Sequence, residues 1–320
     1  MIQSNYYPEG DMRLALNFQA SAIEEALRRH TPGLELVQVA ATGAPVGPID
    51  ALLTPLVGTQ SLAQLLPACH GLKWVHIFGT GADTFPFDLA GGLQVSCSRG
   101  ASAVGIAEWV LAMMLCFEKQ LPRTWVSAPP AQWFKADLGG LEGKTLGLLG
   151  FGAIGQAIAR RALAFDMQVV AKVRQYRPSP MEGVEFADTL DRVLRAADHL
   201  VLALPATAES RGLLNTERLA LTKPGVHLVN VARADLIDQE ALRLLLDEGH
   251  VAMASLDVMD PEPLPAGHWL YTHPRVRLSP HVSWSAPGVV ERMLAVFLRN
   301  LAAFAQGRPL EGAVDVTAGY

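Results

Sequence analysis

The sequence contains few cysteines and no long hydrophobic run. Only three of its 320 residues are cysteines (Cys69, Cys97 and Cys116). They form neither an even disulfide set nor a metal-ligand pattern, so we expect free thiols in a reducing compartment and no metal site. The longest apolar run, Trp109 to Phe117, is too short to span a bilayer. The first twenty residues do not resemble a signal peptide. We therefore expect a cytoplasmic protein without a membrane partner.

The sequence also has no excess of positive charge. It has 26 lysines and arginines against 31 aspartates and glutamates, a formal net charge of −5. This balance argues against a broad surface for nucleic acid or anionic membranes, so any basic site must be local. Half of the residues are hydrophobic, which is enough for a sizeable core, and the length favours two domains.

Short apolar runs alternate with helical patterns between residues 144 and 281. Runs such as "TLGLLG" and "VHLVNVA" are apolar throughout, which is typical of parallel strands covered by helices on both faces. One intervening helix is predicted over 154–165, with Phe165 on its apolar face. The pattern predicts a doubly wound α/β domain of the Rossmann type, with a parallel sheet.

The N-terminal part shows a looser α/β pattern. Its candidate strands are "MRLALNF", "ELVQVAA", "LKWVHIF" and "LQVSC". A long helical pattern after Pro287 has an apolar face that needs a partner, and the N-terminal part is the plausible one. We therefore predict a discontinuous, flavodoxin-like α/β substrate domain of residues 1–99 and 285–320. Residues 100–284 would form the dinucleotide-binding domain, entered by a helix from Gly105 to Lys119.

A glycine motif follows the first strand of the predicted Rossmann domain. In "GLLGFGAIGQAIA", the residues Gly150, Gly152 and Gly155 have G-x-G-x-x-G spacing between a strand and a helix. Such glycines allow a tight turn, approach of backbone to a pyrophosphate and close helix packing, with phosphates on the helix N-terminus. A purely structural turn is the alternative reading.

The residue that distinguishes NAD from NADP should lie at the end of the next strand. Counting 18 residues beyond Gly155 reaches Val173, followed by Arg174 and Arg177. An acid there would accept a hydrogen bond from the ribose 2′-OH, whereas arginines can bind a 2′-phosphate. The stretch favours NADP(H), and an ordinary solvated basic loop is the alternative.

Three later strands each deliver polar residues of catalytic type. Arg233 follows "VHLVNVA", Asp257 and Glu262 follow "MASL", and His281 follows "VRLSP". Ligands of open α/β sheets bind outside the carboxyl ends of the strands. His281 alone would be interpreted as a structural histidine. Polar residues after three strands that all follow one glycine motif, however, predict an active site.

Together these segments resemble the D-isomer-specific 2-hydroxyacid dehydrogenases. The blocks "GLLGFGAIG", "NVARADLIDQEAL", "SLDVMDPEPLP" and "LSPHVSW" are similar to the family's signatures, and "LPATAESRGLLN" and "LKWVHIFGTGADTF" resemble two further blocks. The resemblance implies hydride transfer between a nicotinamide and a 2-oxo or 2-hydroxy acid. It implies that Arg233 binds the carboxylate and polarises the carbonyl, and that His281, paired with Glu262, is the acid/base.

The resemblance also implies the binding residues. Cofactor contacts are expected from Gly150, Gly152, Ala153, Ile154, Gly155, Val173, Arg174, Arg177, Leu204, Pro205, Thr207, Val231, Ala232 and Asp257. Asp257 would contact the carboxamide or support the site. Substrate contacts are expected from Phe78, Gly79, Thr80, Gly81 and Trp284. Core packing is the alternative role of Trp284.

Two departures from the family pattern bear on the substrate and cofactor. Val173 replaces the acid of NAD-dependent members, which resembles the NADPH-preferring glyoxylate and hydroxypyruvate reductases. Leu204 stands where many members have histidine. We therefore expect NADPH-dependent reduction of glyoxylate or hydroxypyruvate by a homodimer with the helix from Gly105 to Lys119 in its contact. The alternatives are a reductase of bulkier 2-oxo acids, and a dinucleotide-sensing interaction protein like the C-terminal-binding corepressors.

Overall fold

A computed structural model describes residues 12–31, 33–39, 47–55, 62–83, 85–134 and 136–320. The first residues of the predicted substrate domain, the end of "ELVQVAA" and Thr84 in "GTGADTF" lie outside the described residues. One compact unit contains the described residues up to Ser102 together with Pro287–Tyr320, and the other contains Ala103–Ala286. The sequence placed these boundaries at 99/100 and 284/285. The functional role of each unit stays a prediction.

The first unit is built on a five-stranded parallel sheet. Its strands are β1 (Arg13–Leu16), β2 (Glu35–Gln38), β3 (Ala51–Pro55), β4 (Trp74–Phe78) and β5 (Gln94–Cys97), in the order β2-β1-β3-β4-β5. This is the flavodoxin order. The sequence missed β3, the buried central strand of this sheet, because a short apolar run that ends in proline has no period of its own.

The α-helices among the described residues of this unit are α1 (Ser21–His30), α2 (Leu62–Leu65) and α8 (Val289–Ala305). The apolar face of α8 packs on β4, where the rings of Phe297 and Trp74 stack at 5.5 Å. Leu298 and Leu301 join the same buried cluster, which includes Leu14 of β1. The C-terminal helix is thus part of the core of the first unit.

The second unit is a doubly wound α/β fold on a seven-stranded parallel sheet. The strands are β6 (Thr145–Leu149), β7 (Gln168–Lys172), β8 (Val184–Phe186), β9 (His199–Leu202), β10 (Val226–Asn230), β11 (Val251–Leu256) and β12 (Val276–Leu278), in the order β12-β11-β10-β9-β6-β7-β8. The helices are α3 (Ala103–Glu118), α4 (Ala153–Leu163), α5 (Leu190–Ala196), α6 (Thr216–Ala220) and α7 (Gln239–Asp247). The predicted fold class is confirmed.

In this unit one strand was missed and one helix end was predicted wrongly. The edge strand β8 was not predicted, because three residues are too few to show a period. Helix α4 ends at Leu163 rather than at Phe165, and Phe165 is 42% exposed instead of buried. The chain leaves the helix in a turn at Asp166, whose φ of 57° cannot continue a right-handed helix.

The sheet order places the polar loops of the second unit at one edge. All seven strands are parallel, so their carboxyl ends lie together. The strand order reverses between β6 and β9, and this switch point is where open α/β sheets bind ligands. Gly150 follows β6 and Ala203 follows β9 there. Among the described residues, no helix has the length and apolar character needed to cross a membrane.

Candidate active site

The glycine turn after β6 is fixed by two close approaches. Gly150 has φ +100°, and a Cβ on it would lie 2.4 Å from the carbonyl oxygen of Ala203. A Cβ on Gly155 would lie 2.4 Å from the oxygen of Gly150. Both positions therefore need glycine. Gly152, directly before α4, is different, because a Cβ there would meet nothing within 4 Å.

That open space lies at the N-terminus of α4, whose first residues are Ala153 and Ile154. Backbone N–H groups in the first turn of a helix have no partner within the helix and attract anions. The turn thus offers both the space and the donors that a pyrophosphate requires. The residues present fit a dinucleotide.

The end of β7 carries the basic stretch. Val173 is partly buried against the core, and the Lys172 ammonium donates to the carbonyl oxygen of Val173 at 2.7 Å. Arg174 and Arg177 are exposed. The Arg174 guanidinium lies 2.7 Å from a carboxylate oxygen of Glu209, a residue that sequence reasoning missed. The two are 35 positions apart, and only the sheet order, with β6 between β7 and β9, could have indicated their proximity.

Glu209 lies in the turn that follows β9. The buried Ser210 fixes this turn, because its hydroxyl accepts from the N–H of Thr207 at 2.8 Å and donates to the carbonyl of Pro205 at 2.9 Å. Leu204 packs against the core of the unit. The predicted cofactor residues Leu204, Pro205 and Thr207 therefore lie in one ordered loop at the switch point.

Arg233 follows β10 on a turn that Asn230 holds. The buried Asn230 side chain donates to the carbonyl of Arg233 at 2.8 Å and accepts from the N–H of Ala232 at 3.0 Å. The partly buried Arg233 guanidinium donates to the carbonyl of Ala232 at 2.6 Å. Val231 and Ala232 are buried. Asn230 is a supporting residue that the sequence reasoning did not single out, although it stands in the "NVAR" block.

Asp257 organises the loop that carries His281. Its fully buried carboxylate accepts from the Ser279 hydroxyl and from the N–H groups of Val282 and Ser283, both at 2.9 Å. The Asp257 carbonyl accepts from the N–H of His281 at 2.9 Å. Both carboxylate oxygens of Asp257 thus accept hydrogen bonds within this loop. This corresponds to the first of its two expected roles, support of the site. A direct cofactor contact of Asp257 stays a prediction.

His281 and Glu262 form a hydrogen-bonded pair. The distance from His281 Nδ1 to Glu262 Oε2 is 2.8 Å, and Glu262 Oε1 accepts from the N–H of Met259 at 2.9 Å. Both side chains are 37% exposed. In the described part of the chain, Nε2 of His281 has no hydrogen-bond partner. The pair therefore holds the ring by one nitrogen and presents the other.

The backbone of His281 is also held in an uncommon conformation. Its φ is +54°, a left-handed value that histidine adopts more readily than most residues. Trp284 Nε1 donates to the carbonyl of His281 at 2.8 Å, and Trp284 is 41% exposed. Trp284 therefore lies at the surface of this loop rather than in the core.

In the first unit, the predicted substrate loop follows β4. Phe78 ends the strand and stacks on Phe18. The N–H of Gly79 donates to the carbonyl of Ile77 at 2.8 Å, so this amide is already used. Among the described residues, the N–H groups of Thr80 and Gly81 have no acceptor. These two amides are therefore candidate donors to a ligand.

A second polar cluster lies towards the opposite edge of the seven-stranded sheet, near the amino ends of β6, β9 and β10, and extends to Ser255 within β11. Glu118 Oε1 is 2.6 Å from Lys144 Nζ and 3.0 Å from His199 Nε2. His199 Nδ1 is 3.1 Å from His227 Nδ1, and His227 Nε2 is 2.9 Å from Ser255 Oγ. We call these five residues the amino-edge network.

The amino-edge network shifts two pKa values. Burial opposes ionisation of Glu118, but its hydrogen bonds with His199 and Lys144 outweigh burial, so its pKa is lowered. Burial, reinforced by the neighbouring His199, lowers the pKa of His227 well below its usual value. The described residues contain no group of three or more His, Cys, Asp or Glu side chains placed to hold a metal ion.

Residues 111–283 match the family model described as D-isomer specific 2-hydroxyacid dehydrogenase, NAD binding domain. The chain is 32% identical over 272 residues to a glyoxylate reductase of Thermococcus litoralis, covering 81% of each chain. It is 35% identical over 297 residues to a D-3-phosphoglycerate dehydrogenase of Bacillus subtilis, covering 89% of this chain but only 55% of that relative.

A solved structure of an NADPH-dependent glyoxylate/hydroxypyruvate reductase from Sinorhizobium meliloti, in complex with NADP and sulfate, is also similar. It superposes with a TM-score of 0.82 at 27% identity, and the match covers 97% of this chain and all of that one.

Proposed function

Since the chain belongs to the D-isomer-specific 2-hydroxyacid dehydrogenases, we propose that it reduces a small 2-oxo acid, glyoxylate or hydroxypyruvate, with NADPH. The family makes it an oxidoreductase with an NAD(P)-binding domain. The choice of NADPH, of the substrate and of the residues that act is our proposal. The glyoxylate reductase of Thermococcus litoralis and the glyoxylate/hydroxypyruvate reductase of Sinorhizobium meliloti support it.

The observation that carries the proposal is the 2.8 Å contact between His281 Nδ1 and Glu262 Oε2. A carboxylate on Nδ1 fixes the orientation of an imidazole and stabilises its protonated form. His281 Nε2 then donates its proton to the carbonyl oxygen of the substrate as that oxygen gains charge. The proton completes the hydroxyl group of the product.

Arg233 and the loop after β4 are proposed to bind the substrate. A guanidinium remains charged and can hold two oxygens at once, so Arg233 suits the carboxylate and the reacting carbonyl. The N–H groups of Thr80 and Gly81, which have no acceptor among the described residues, suit a carboxylate oxygen. Phe78, Gly79 and Trp284 would shape the site around a small acid.

The open space before α4 and the loops after β7, β9 and β10 are proposed to hold the cofactor. When bound, the reduced nicotinamide supplies the hydride that adds to the carbonyl carbon of the substrate. Gly152 and the first N–H groups of α4 would hold the pyrophosphate. Arg174 and Arg177 would hold a 2′-phosphate, while Asp257 keeps the His281 loop in place.

The test is an absorbance assay at the reduced-nicotinamide band. Glyoxylate, hydroxypyruvate, pyruvate and phenylpyruvate are each assayed with NADPH and with NADH. We expect the highest kcat/KM for glyoxylate or hydroxypyruvate with NADPH. Preference for phenylpyruvate would favour the reductase of bulkier acids. Tight NADPH binding without turnover of any acid would favour the dinucleotide-sensing interaction protein.

A second candidate substrate comes from the phosphoglycerate dehydrogenase of Bacillus subtilis, whose 35% identity extends over 89% of this chain. The chain spans only 55% of that relative, so the relative's activity need not transfer. Oxidation of D-3-phosphoglycerate with NAD and with NADP belongs in the same assay. Turnover faster than that of D-glycerate would favour this candidate.

We also propose that the chain is a homodimer whose contact includes α3. Between α3 and β6, the described residues include five exposed large apolar side chains: Trp125, Val126, Trp133, Phe134 and Leu138. Exposed apolar residues that cluster along the chain are typical of an interface. Sedimentation velocity at micromolar concentration should give twice the mass of the chain, and a monomer would contradict the proposal.

A further inference from the structure

The arginine that follows β7 has an acidic neighbour in the folded protein. Arg174 pairs with Glu209 at 2.7 Å between Nη2 and Oε2. The sequence places no acid at the end of β7, where Val173 stands. The fold supplies one from the turn after β9. An acid and a base therefore meet at the position where the cofactor's ribose is proposed to bind.

The position of Glu209 is set by its turn. Ser210, next to Glu209, is buried and binds the loop backbone on both sides, at Thr207 N–H and at Pro205 carbonyl. The N–H groups of Ser210 and Arg211 both donate to the carbonyl of Thr207 at 3.0 Å. A side chain on such an anchored turn meets Arg174 at a defined place rather than by chance encounter on a mobile loop.

We propose that Glu209 is a specificity-determining residue that weakens the preference for NADPH. The inference rests on the proposed role of Arg174 in binding the 2′-phosphate. A phosphate dianion must take the guanidinium from Glu209 or share it, and in either case it approaches a like charge. The neutral 2′-OH of NADH meets neither cost, and it can donate a hydrogen bond to the carboxylate.

The expected effect of Glu209 on the affinity for NADPH depends on how exposed the Arg174–Glu209 pair is. The Arg174 and Glu209 side chains are 54% and 77% exposed, so water and salt screen the interaction. Repulsion between a carboxylate and a phosphate several ångströms apart at the surface changes affinity by roughly three- to tenfold. Glu209 thus tunes cofactor preference without abolishing NADPH binding.

The test measures dissociation constants of NADPH and NADH by fluorescence titration for the wild type, Glu209→Gln and Arg174→Gln. We expect Glu209→Gln to tighten NADPH by about three- to tenfold at low salt and to leave NADH within about twofold. Competition by 2′,5′-ADP, but not by 5′-AMP, should strengthen by the same factor. This second readout depends on the 2′-phosphate alone and not on turnover.

Glu185→Gln is the matched control, because Glu185 also forms an exposed ion pair with an arginine, Arg192, in the same unit. Equal tightening of NADPH by this control would make the effect one of net charge and would overturn the inference. The inference would also be overturned if Arg174→Gln weakened NADPH binding selectively and Glu209→Gln left the NADPH affinity unchanged. If Arg174→Gln does not weaken NADPH, the proposed cofactor site itself is wrong.

Discussion

The amino and carboxyl edges of the seven-stranded sheet carry the same residue types, but these residues differ in their exposure to solvent. At the amino edge, Glu118 meets His199 and Lys144 with its side chain almost completely buried. At the carboxyl edge, Glu262 meets His281 with both side chains about one third exposed. A glutamate–histidine pair occurs at each edge, at 3.0 Å and 2.8 Å, and only exposure and surroundings distinguish them.

The difference lies in what remains available for a ligand. His199 is fully buried with both ring nitrogens against protein groups, Nε2 at 3.0 Å from Glu118 Oε1 and Nδ1 at 3.1 Å from His227 Nδ1. His281 uses Nδ1 for Glu262 and presents Nε2. A buried polar network contributes to the specificity and stability of a fold, whereas a partly exposed ring nitrogen can reach a ligand and transfer a proton. Residue type alone would not have separated the two pairs.

The largest expected effect of a single substitution is on catalysis at the carboxyl edge. His281→Asn should lower kcat by about 10²- to 10⁴-fold, the usual contribution of a positioned acid/base. The dissociation constant of NADPH should stay within about threefold, because the ring is not proposed to bind the cofactor. Steady-state kinetics and fluorescence titration check the two parts. Near-native turnover in this variant would remove His281 from the mechanism.

A substitution in the glutamate–histidine pair at the amino edge should lower the stability of the protein rather than its activity. Glu118→Ala leaves His199 and Lys144 without their shared carboxylate. Breaking a buried pair costs about 3–5 kcal/mol, and the partial exposure of Lys144 lowers our expectation to about 2–4 kcal/mol. Urea unfolding measures this loss, and kcat of the folded variant should stay within about twofold.

Glu185→Ala is the control for this stability effect. It removes an exposed partner of Arg192, and it should cost less than about 1 kcal/mol. A large fall in kcat of Glu118→Ala with stability unchanged would show that the amino edge also takes part in function and would break the comparison.

The amino-edge network also predicts a pH dependence of stability. The pKa of His227 is lowered well below 6.5 in the folded protein, so the unfolded chain binds a proton first as pH falls. The contribution of His227 to the free energy of unfolding therefore falls by about 1 kcal/mol between pH 6.5 and 5.5, and the slope approaches about 1.4 kcal/mol per pH unit at lower pH. Glu118, whose pKa is also lowered, adds to this loss at more acidic pH. His76 in the first unit acts in the same direction, because burial lowers its pKa to about 3.

The measurement compares urea unfolding at pH 7.5, 6.5 and 5.5 for the wild type and for His227→Gln. Between pH 6.5 and 5.5, the free energy of unfolding of the variant should fall by about 1 kcal/mol less than that of the wild type. His70→Gln, at an exposed histidine, should leave the dependence as it is. An unchanged slope in His227→Gln would contradict the burial argument.

The sequence indicated which residues lie at the carboxyl edge, but not which residues meet at the amino edge. Arg233, Asp257 and His281 were singled out because each follows a predicted apolar strand, and parallel strands bring such residues to one edge. Glu118 was read only as part of the connecting helix, and His199 only as the start of a strand. Their pairing depends on how α3 packs across the sheet, which a linear pattern does not encode.

The same reason explains what was missed within the site itself. Glu209 opposes Arg174 from a loop 35 residues away, and the sequence shows no period that joins them. Asn230 acts through two hydrogen bonds to backbone atoms, and such a role depends on local geometry. Residues that act through contacts of the tertiary fold leave a weaker mark on the sequence than residues that follow strands.

The smallest expected effect comes from a hydrogen bond that supports the backbone of His281 at the carboxyl edge. Trp284→Phe keeps an aromatic ring but removes the 2.8 Å hydrogen bond to the carbonyl of His281. A bond of this kind contributes about 0.5–1.5 kcal/mol, so kcat should fall by no more than about tenfold if Trp284 holds the left-handed backbone of His281. The fall should be equal for glyoxylate and phenylpyruvate, because the loop serves both substrates. If Trp284 instead limits the size of the site, the variant should gain activity on phenylpyruvate relative to glyoxylate. The ratio of the two kcat/KM values therefore decides between support of His281 and selection of the substrate.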